Sequence, residues 1–282
     1  MSARRGFSLV ELTVALVISG IIGVALTRLI ISQARFVSVG DAMMRTRSGA
    51  RAALLAVATE LRAVGDSGVI QAAPESITVR VPHAFGIACQ QTGGTTVVAL
   101  LPTDSAEFAN ASLSGYAWRD STATWHYLAG ATLASASAST AFCTGAAPPV
   151  SVLSAPGWPA RAIAVSPNDP LTPVGATVFL YHTVRYAFAP SGELAGRRGL
   201  WRTEIGTGLR EEIAMPFDNS SAFQFIVGPA LTLQLTPPAD LRQLYGVRLD
   251  VVMESERPPQ GRSTNVRFNL PLQIVFRNVA SP

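Results

Sequence analysis

The stretch that decides the architecture runs from Arg4 to Ile31 and reads RRGFSLVELTVALVISGIIGVALTRLII. From Phe7 to Ile31 only Glu11 and Arg28 carry charge. A helix over this run, rising about 1.5 Å per residue, spans roughly 37 Å and is long enough to cross a hydrocarbon core of about 30 Å. Arg4 and Arg5 just before it hold that end on the cytoplasmic side, so the rest of the chain faces outward.

Three readings of the run compete. It is longer than the apolar region of a secretory signal, although Ser32-Gln33-Ala34 is a weak small-x-small cleavage site. A plain signal anchor explains the apolar run and its basic flank but leaves Glu11 without a purpose. A lone carboxylate in lipid costs on the order of 3 kcal/mol on insertion scales, so such a residue calls for a partner.

The third reading supplies one. Gly6-Phe7-Ser8-Leu9-Val10-Glu11-Leu12 resembles the class III signal of type IV prepilins and type II secretion pseudopilins. The resemblance implies cleavage by a prepilin peptidase between Gly6 and Phe7, N-methylation of the new amine at Phe7, and an assembly role for Glu11 as the fifth mature residue. An ammonium and a carboxylate attract strongly in a medium of low dielectric, where each alone is expensive. In such filaments the glutamate of one subunit is thought to meet the amine of a neighbour. Major pilins of the family often carry a proline where this chain has Arg28, a departure that points to a minor, priming subunit.

Beyond Ile31 the pattern changes without a stop. Met43, Ala50, Leu54, Val57, Leu61 and Val64 recur at helical steps as one apolar stripe, with Arg45, Arg47, Arg51, Glu60 and Arg62 as polar interruptions. No proline falls between Phe7 and Ala73, and Gly65-Asp66-Ser67-Gly68 is a stop signal. The spacing predicts one helix over 7–64, its segment 7–31 in the membrane or filament core, and a head domain over 65–282 after a leader of residues 1–6. Gly20, Gly23 and Gly40 weaken that helix; they serve close packing in the membrane or local melting on assembly.

The head reads as β-rich. Leu231, Leu233 and Leu235 alternate with polar neighbours, as do Val247, Leu249, Val251 and Met253, and the run Val266, Phe268, Leu270, Leu272, Ile274 and Phe276. Further candidate strands are 76–81, 95–101, 177–188, 199–205 and 222–227, and Pro271 marks an edge or bulge. Residues 129–160, dominated by Ala, Ser, Thr, Pro and Gly, read as a long surface insertion. The expected fold class is α+β, a long N-terminal hydrophobic helix packed on an antiparallel β-sheet.

Segments of the distal half, 184–188, 199–204, 211–214, 223–225 and 275–278, resemble the short strands of PilW-type minor pilins and J-type pseudopilins, and Ala53 to Gly65 resembles their helix segment ending in Leu-Arg-x-x-Gly. An oxidising compartment for such a head gives the only two cysteines, Cys89 and Cys143, a meaning as a candidate disulfide. Closing that loop of about 55 residues is worth on the order of 4 kcal/mol in the chain-entropy model. Two separate buried thiols are the alternative.

Composition narrows the function. Among 282 residues 14% are charged and 48% hydrophobic, with a mean hydropathy of +0.30, which excludes a disordered charged polymer. The net charge of +4 falls to about +2 without Arg4 and Arg5, and no basic stripe supports DNA binding. His83, His126 and His182 are widely spaced along the sequence, and His182 on an alternating strand reads as structural. Glu211, Glu212, Asp218 and Asn219 read as a solvated turn before a cation site, and Tyr116, Trp118, Trp125, Tyr127, Trp158 and Trp201 as core before an adhesive surface. No nucleophile elbow, phosphate loop or zinc-protease motif is present, so neither an enzyme nor a cofactor is expected.

The expected function is a minor type IV pilin that primes or caps a pilus. Its partners would be the prepilin peptidase, other minor and major pilins or pseudopilins, an inner-membrane assembly platform and the lipid bilayer. The alternatives are a pseudopilin at the tip of a type II secretion pseudopilus and, from a different class, a membrane-tethered binding module. In the first two the chain starts as a single-pass inner-membrane protein with a cytoplasmic amino terminus.

Overall fold

The computed structural model describes residues 8–92, 94–100, 113–122, 124–129, 132–136, 162–166 and 169–276. Among the described residues one α-helix, α1 (Leu9–Ala63), precedes fourteen strands. Its 55 residues give a length of roughly 82 Å. The helix ends at Ala63. Gly68 donates its N–H to the Gly65 carbonyl at 2.9 Å, and Ser67 takes a positive φ of 58°, which turns the chain out of the helical direction.

Two structural units make up the chain. One comprises the helix up to Ser48 with Glu254–Phe268; the other comprises Gly49–Met253 with the residues from Asn269 onward. The second unit contains most of the sheet and the last turns of the helix. There the predicted stripe is the buried one: Ala50, Leu54, Val57, Leu61 and Val64 are all buried, joined by Ala53 and Ala58. Each large apolar side chain so placed contributes about 1.5–3 kcal/mol, which is what fixes this stretch of helix to the sheet.

The strands are β1 (Val69–Ala73), β2 (Ser76–Thr92), β3 (Thr95–Leu100), β4 (Gly115–Arg119), β5 (Trp125–Ala129), β6 (Thr132–Ala136), β7 (Ala162–Ser166), β8 (Thr177–Pro190), β9 (Arg198–Glu204), β10 (Arg210–Phe217), β11 (Ala222–Val227), β12 (Thr232–Gln234), β13 (Leu244–Glu254) and β14 (Arg267–Val275). They form one antiparallel sheet in the order β12-β11-β13-β10-β9-β8-β2-β3-β7-β6, with β1 added on β2, β14 on β13, and the β4–β5 hairpin on β8. The long pair β2–β8, in register from Ser76 opposite Ala187 to Ile87 opposite Thr177, is its backbone. Helix side chains meet Ile77, Val79, Val184, Tyr186, Phe223, Phe225, Val247 and Leu249 in one core, and a second core gathers Ala84, Val98, Leu100, Tyr116, Trp118, Ile163, Val178 and Leu180.

Several expectations change. The strand read over 76–81 runs on to Thr92, carried past Pro82 by a register shift between Pro82 and Ala84. Leu231, Leu233 and Leu235 alternate as predicted but bury nothing: they are 45%, 45% and 70% exposed, because β12 is a three-residue edge strand. Glu211 and Glu212 lie in strand β10 rather than in a turn. Thr132–Ala136, inside the expected insertion, pairs as β6 with β7; residues 137–160 lie outside the described ones. β14 keeps the predicted alternation through Pro271, with Val266, Ile274 and Phe276 buried and Arg267, Asn269 and Gln273 exposed.

Candidate functional site

The amino-terminal turn of α1 is built by a reciprocal pair. Ser8 donates its backbone N–H to Oε2 of Glu11 at 3.0 Å, and Glu11 donates its N–H to Oγ of Ser8 at 3.2 Å. This is a capping box: each side chain satisfies a backbone donor that the first helical turn leaves without a carbonyl partner. The signal for it, Ser-x-x-Glu before an apolar run, stands in the sequence as Ser8-Leu9-Val10-Glu11, beside the charge pattern that singles out Glu11. The carboxylate also sits in the first turn, where the helix dipole favours negative charge. Glu11 therefore has a local role before any partner arrives, and its Oε1 stays outside the box.

Around this acid the helix presents apolar side chains. Leu9, Val10, Leu12, Leu16 and Ile21 are more than half exposed, and so are Val14, Val17, Ile18 and Ile22. Thr13 and Thr27 fold their hydroxyls back onto the carbonyls of Val10 and Gly23 at 2.9 and 2.8 Å, so neither presents an unmet donor to an apolar medium. The helix is long and apolar enough to cross a membrane by length and composition. Gly20, Gly23 and Gly40 have no atom near the position a Cβ would take. Gly6 and Phe7, the expected cleavage and methylation positions, lie outside the described residues.

In the second unit, polar groups lock the end of the helix. Arg202 on β9 approaches both oxygens of Glu60 through Nε, at 3.2 and 3.3 Å, and the Tyr186 hydroxyl donates to Oε2 of the same carboxylate. Burial, and then the Glu60 charge, push the Tyr186 phenol far above its ordinary range. Arg80 lies over the rings of Tyr127 and Tyr181, at 4.5 and 5.8 Å, and donates to the Ser67 carbonyl at 2.8 Å. Tyr127 donates to the Asp66 carbonyl at 3.0 Å. The stop signal after the helix is thus tied to the β4–β5 hairpin.

The remaining candidate residues resolve as follows. His83 and His182, far apart in sequence, stack edge to face with centroids 4.5 Å apart, because β2 and β8 are paired. Nδ1 of His182 lies 3.1 Å from Oε1 of Glu204. His126 stacks on Trp118 and meets Oδ2 of Asp120 at 2.9 Å. That contact, followed by the Thr122 hydroxyl, holds the Asp120 carboxyl well below the usual carboxylate range. Among the described residues no group of three or more His, Cys, Asp or Glu side chains could hold a metal ion. A shallow groove of about 440 Å³ between β1 and residues 237–241 is lined by no titratable side chain.

Glu212 accepts from the Gly192 N–H at 3.0 Å, and Asp218 accepts from the Ser220 N–H and hydroxyl at 2.9 and 2.6 Å. Tyr116 and Trp118 are core residues; Trp125, Tyr127 and Trp201 are half-buried, with Arg210 3.9 Å above the Trp201 ring. Trp158 lies outside the described residues. Cys89 is buried, whereas Cys143 lies outside the described residues.

A membrane-length helix that opens on an acid-bearing cap and closes against an antiparallel sheet has the architecture of the pilin class. The family model of the prokaryotic N-terminal methylation motif matches residues 1–27, the class III prepilin signal. The chain is type IV pilin-like, and its helix and signal fit a membrane-anchored pilin. No curated protein and no solved structure matches the chain at a significant level.

Proposed function

We propose that this protein is a minor type IV pilin, a structural subunit that primes or caps filament assembly. Prepilin peptidase cuts between Gly6 and Phe7, and the Phe7 amine is methylated. The subunit waits in the inner membrane with its amino terminus toward the cytoplasm and its head outside. On assembly Glu11 pairs with the amine of a neighbouring subunit, while the sheet offers lateral contacts to other pilins. In the exported head Cys89 and Cys143 form a disulfide.

One observation carries the reading: a single acid, Glu11, stands at the head of an apolar, exposed helix inside a segment matched by the methylation motif. A carboxylate there is expensive in lipid unless a cation joins it. A second reading is a pseudopilin at the tip of a type II secretion pseudopilus, since segments 184–188, 199–204, 211–214 and 223–225 resemble PilW-type minor pilins and J-type pseudopilins alike. The same electrostatics serve both filaments.

Filament incorporation and membrane fractionation of Glu11→Ala test the proposal together. A filament subunit loses incorporation while it remains inserted in the membrane. A tethered binding module keeps its surface function, and that result would remove the pilin reading.

A further inference from the structure

The first unit contains a feature to which the proposed function assigns no role. The connection from β13 to β14 leaves the sheet and docks on the helix just beyond its apolar run. Gln260 donates its backbone N–H to Oγ of Ser38 at 3.1 Å. The Arg35 side chain lies against Gly261, where an added Cβ would stand 2.8 Å from Nε. The turn itself is closed by the Arg262 N–H on the Pro259 carbonyl at 2.9 Å, and Gly261 has a positive φ of 81°. At its far end the Arg47 guanidinium covers the Phe268 ring at 4.7 Å.

This tip is basic and exposed. Arg257 and Arg262 project from it, Arg28 and Arg35 from the helix, and all four are exposed with no carboxylate partner among the described residues. The acids of the unit beyond Ile31 are fewer. Asp41 is paired with Arg45 at 3.0 Å and Glu254 with Arg267 at 2.8 Å, which leaves Glu256.

The depth of the tip says what it meets. Arg35 and Ser38 are four and seven residues past Ile31, so the tip lies roughly 6–10 Å beyond the end of the apolar run. The headgroup layer on each side of a bilayer is about 5–7 Å thick. Arginines there reach lipid phosphates with their heads while their stems lie along the apolar edge. Their placement also runs against the usual scarcity of basic residues on the translocated side, so they serve something other than orientation.

We propose that Arg28, Arg35, Arg257 and Arg262 form a collar that binds anionic phospholipid headgroups at the outward end of the span, and so fixes the depth of the subunit before assembly. The collar rests on the reading of Phe7–Ile31 as a membrane span. It names a ligand, anionic phospholipid, that the span alone does not require.

The full chain, equilibrated in mixed micelles with equal amounts of phosphatidylglycerol and phosphatidylethanolamine, is examined by native mass spectrometry for retained lipid. Phosphatidylglycerol is retained in excess, and the double variant Arg257→Gln/Arg262→Gln loses at least roughly fivefold of that excess, about one arginine's share near an anionic surface. Arg185→Gln/Arg242→Gln, in the other unit, leaves it unchanged. Equal retention of the two lipids, or a collar variant that keeps the excess, overturns the proposal. So does a variant whose lipid excess is intact but which no longer associates with other subunits, since the arginines then serve a protein partner. Carbonate extraction of the wild type separates the failures: a chain released from membranes contradicts the span, whereas a retained chain with no lipid preference contradicts only the collar.

Discussion

Ser8 and Glu11 hold each other at the start of the helix, the serine N–H on the glutamate oxygen at 3.0 Å and the glutamate N–H on the serine oxygen at 3.2 Å. The one acid of the apolar run caps the helix, and in the proposed function it also supplies the charge that a mature amine would neutralise. Conservative substitution separates them. Glutamine serves in a capping box almost as well as glutamate, so Glu11→Gln keeps the first turn while removing the charge. It is expected to insert normally and fail to enter filaments. Ser8→Ala costs the turn about 1 kcal/mol yet keeps the charge, so incorporation persists. Helix-terminus hydrogen exchange and filament yield, measured on both variants, check the pair of outcomes.

Glu60 ties the last helical turns to the sheet through Arg202 and Tyr186. Both charged side chains are mostly buried, with 31% and 25% of their surfaces exposed. Glu60→Ala leaves Arg202 and the Tyr186 hydroxyl short of an acceptor and is expected to lower head stability by about 1.5–3 kcal/mol, the range for hydrogen bonds to charged groups. Glu60→Gln loses less, because an amide oxygen still accepts. Denaturant unfolding of the detergent-solubilised full chain, followed by tryptophan fluorescence, reads the difference; equal midpoints for wild type and Glu60→Ala would refute the role.

The hairpin of β4 and β5 responds to acid in a definite direction. Asp120 is depressed in the folded state by His126 and then Thr122. A carboxylate with a lowered folded-state pKa stabilises the fold at pH above its unfolded value, and the contribution disappears as pH falls through the folded value. The hairpin is therefore fully supported above about pH 4 and loosens below it. Carboxyl carbon NMR is expected to find Asp120 still ionised at about pH 3, where ordinary aspartates are mostly protonated. An ordinary titration curve would contradict the network.

Cys89 is buried in β2, and its proposed bond to Cys143 predicts one cross-linked peptide under non-reducing conditions. Recovery of both as free thiols would remove it. With the bond in place, reduction is expected to lower stability by on the order of 4 kcal/mol, less any strain relieved.

How much of this was legible in the sequence follows the strength of each pattern. The helix was, because Leu54, Val57, Leu61 and Val64 must share one face to meet the sheet, and no proline interrupts the run. Strands β13 and β14 were, because each buries one face and leaves the other wet. By contrast β4 is not legible: Tyr116, Ala117 and Trp118 are consecutive and all buried, so no alternation survives to mark a strand. Leu231, Leu233 and Leu235 misled in the opposite sense, since alternation records which residues could face a core and says nothing of whether one is present at a sheet edge. At the site, Glu11 was conspicuous as a lone charge in apolar surroundings. Its bond to Ser8 is equally legible in the Ser-x-x-Glu pattern of Ser8 to Glu11. The approach of His83 to His182, and of Glu60 to Arg202, depends on strand order, which no local pattern encodes.

The most direct test is the intact mass of the protein purified from cells that express prepilin peptidase. A chain that begins at Phe7 and carries one added methyl group is the predicted species. A chain that retains Met1, or one that begins at Arg35 after cleavage behind Ser32-Gln33-Ala34, would contradict the account at its base.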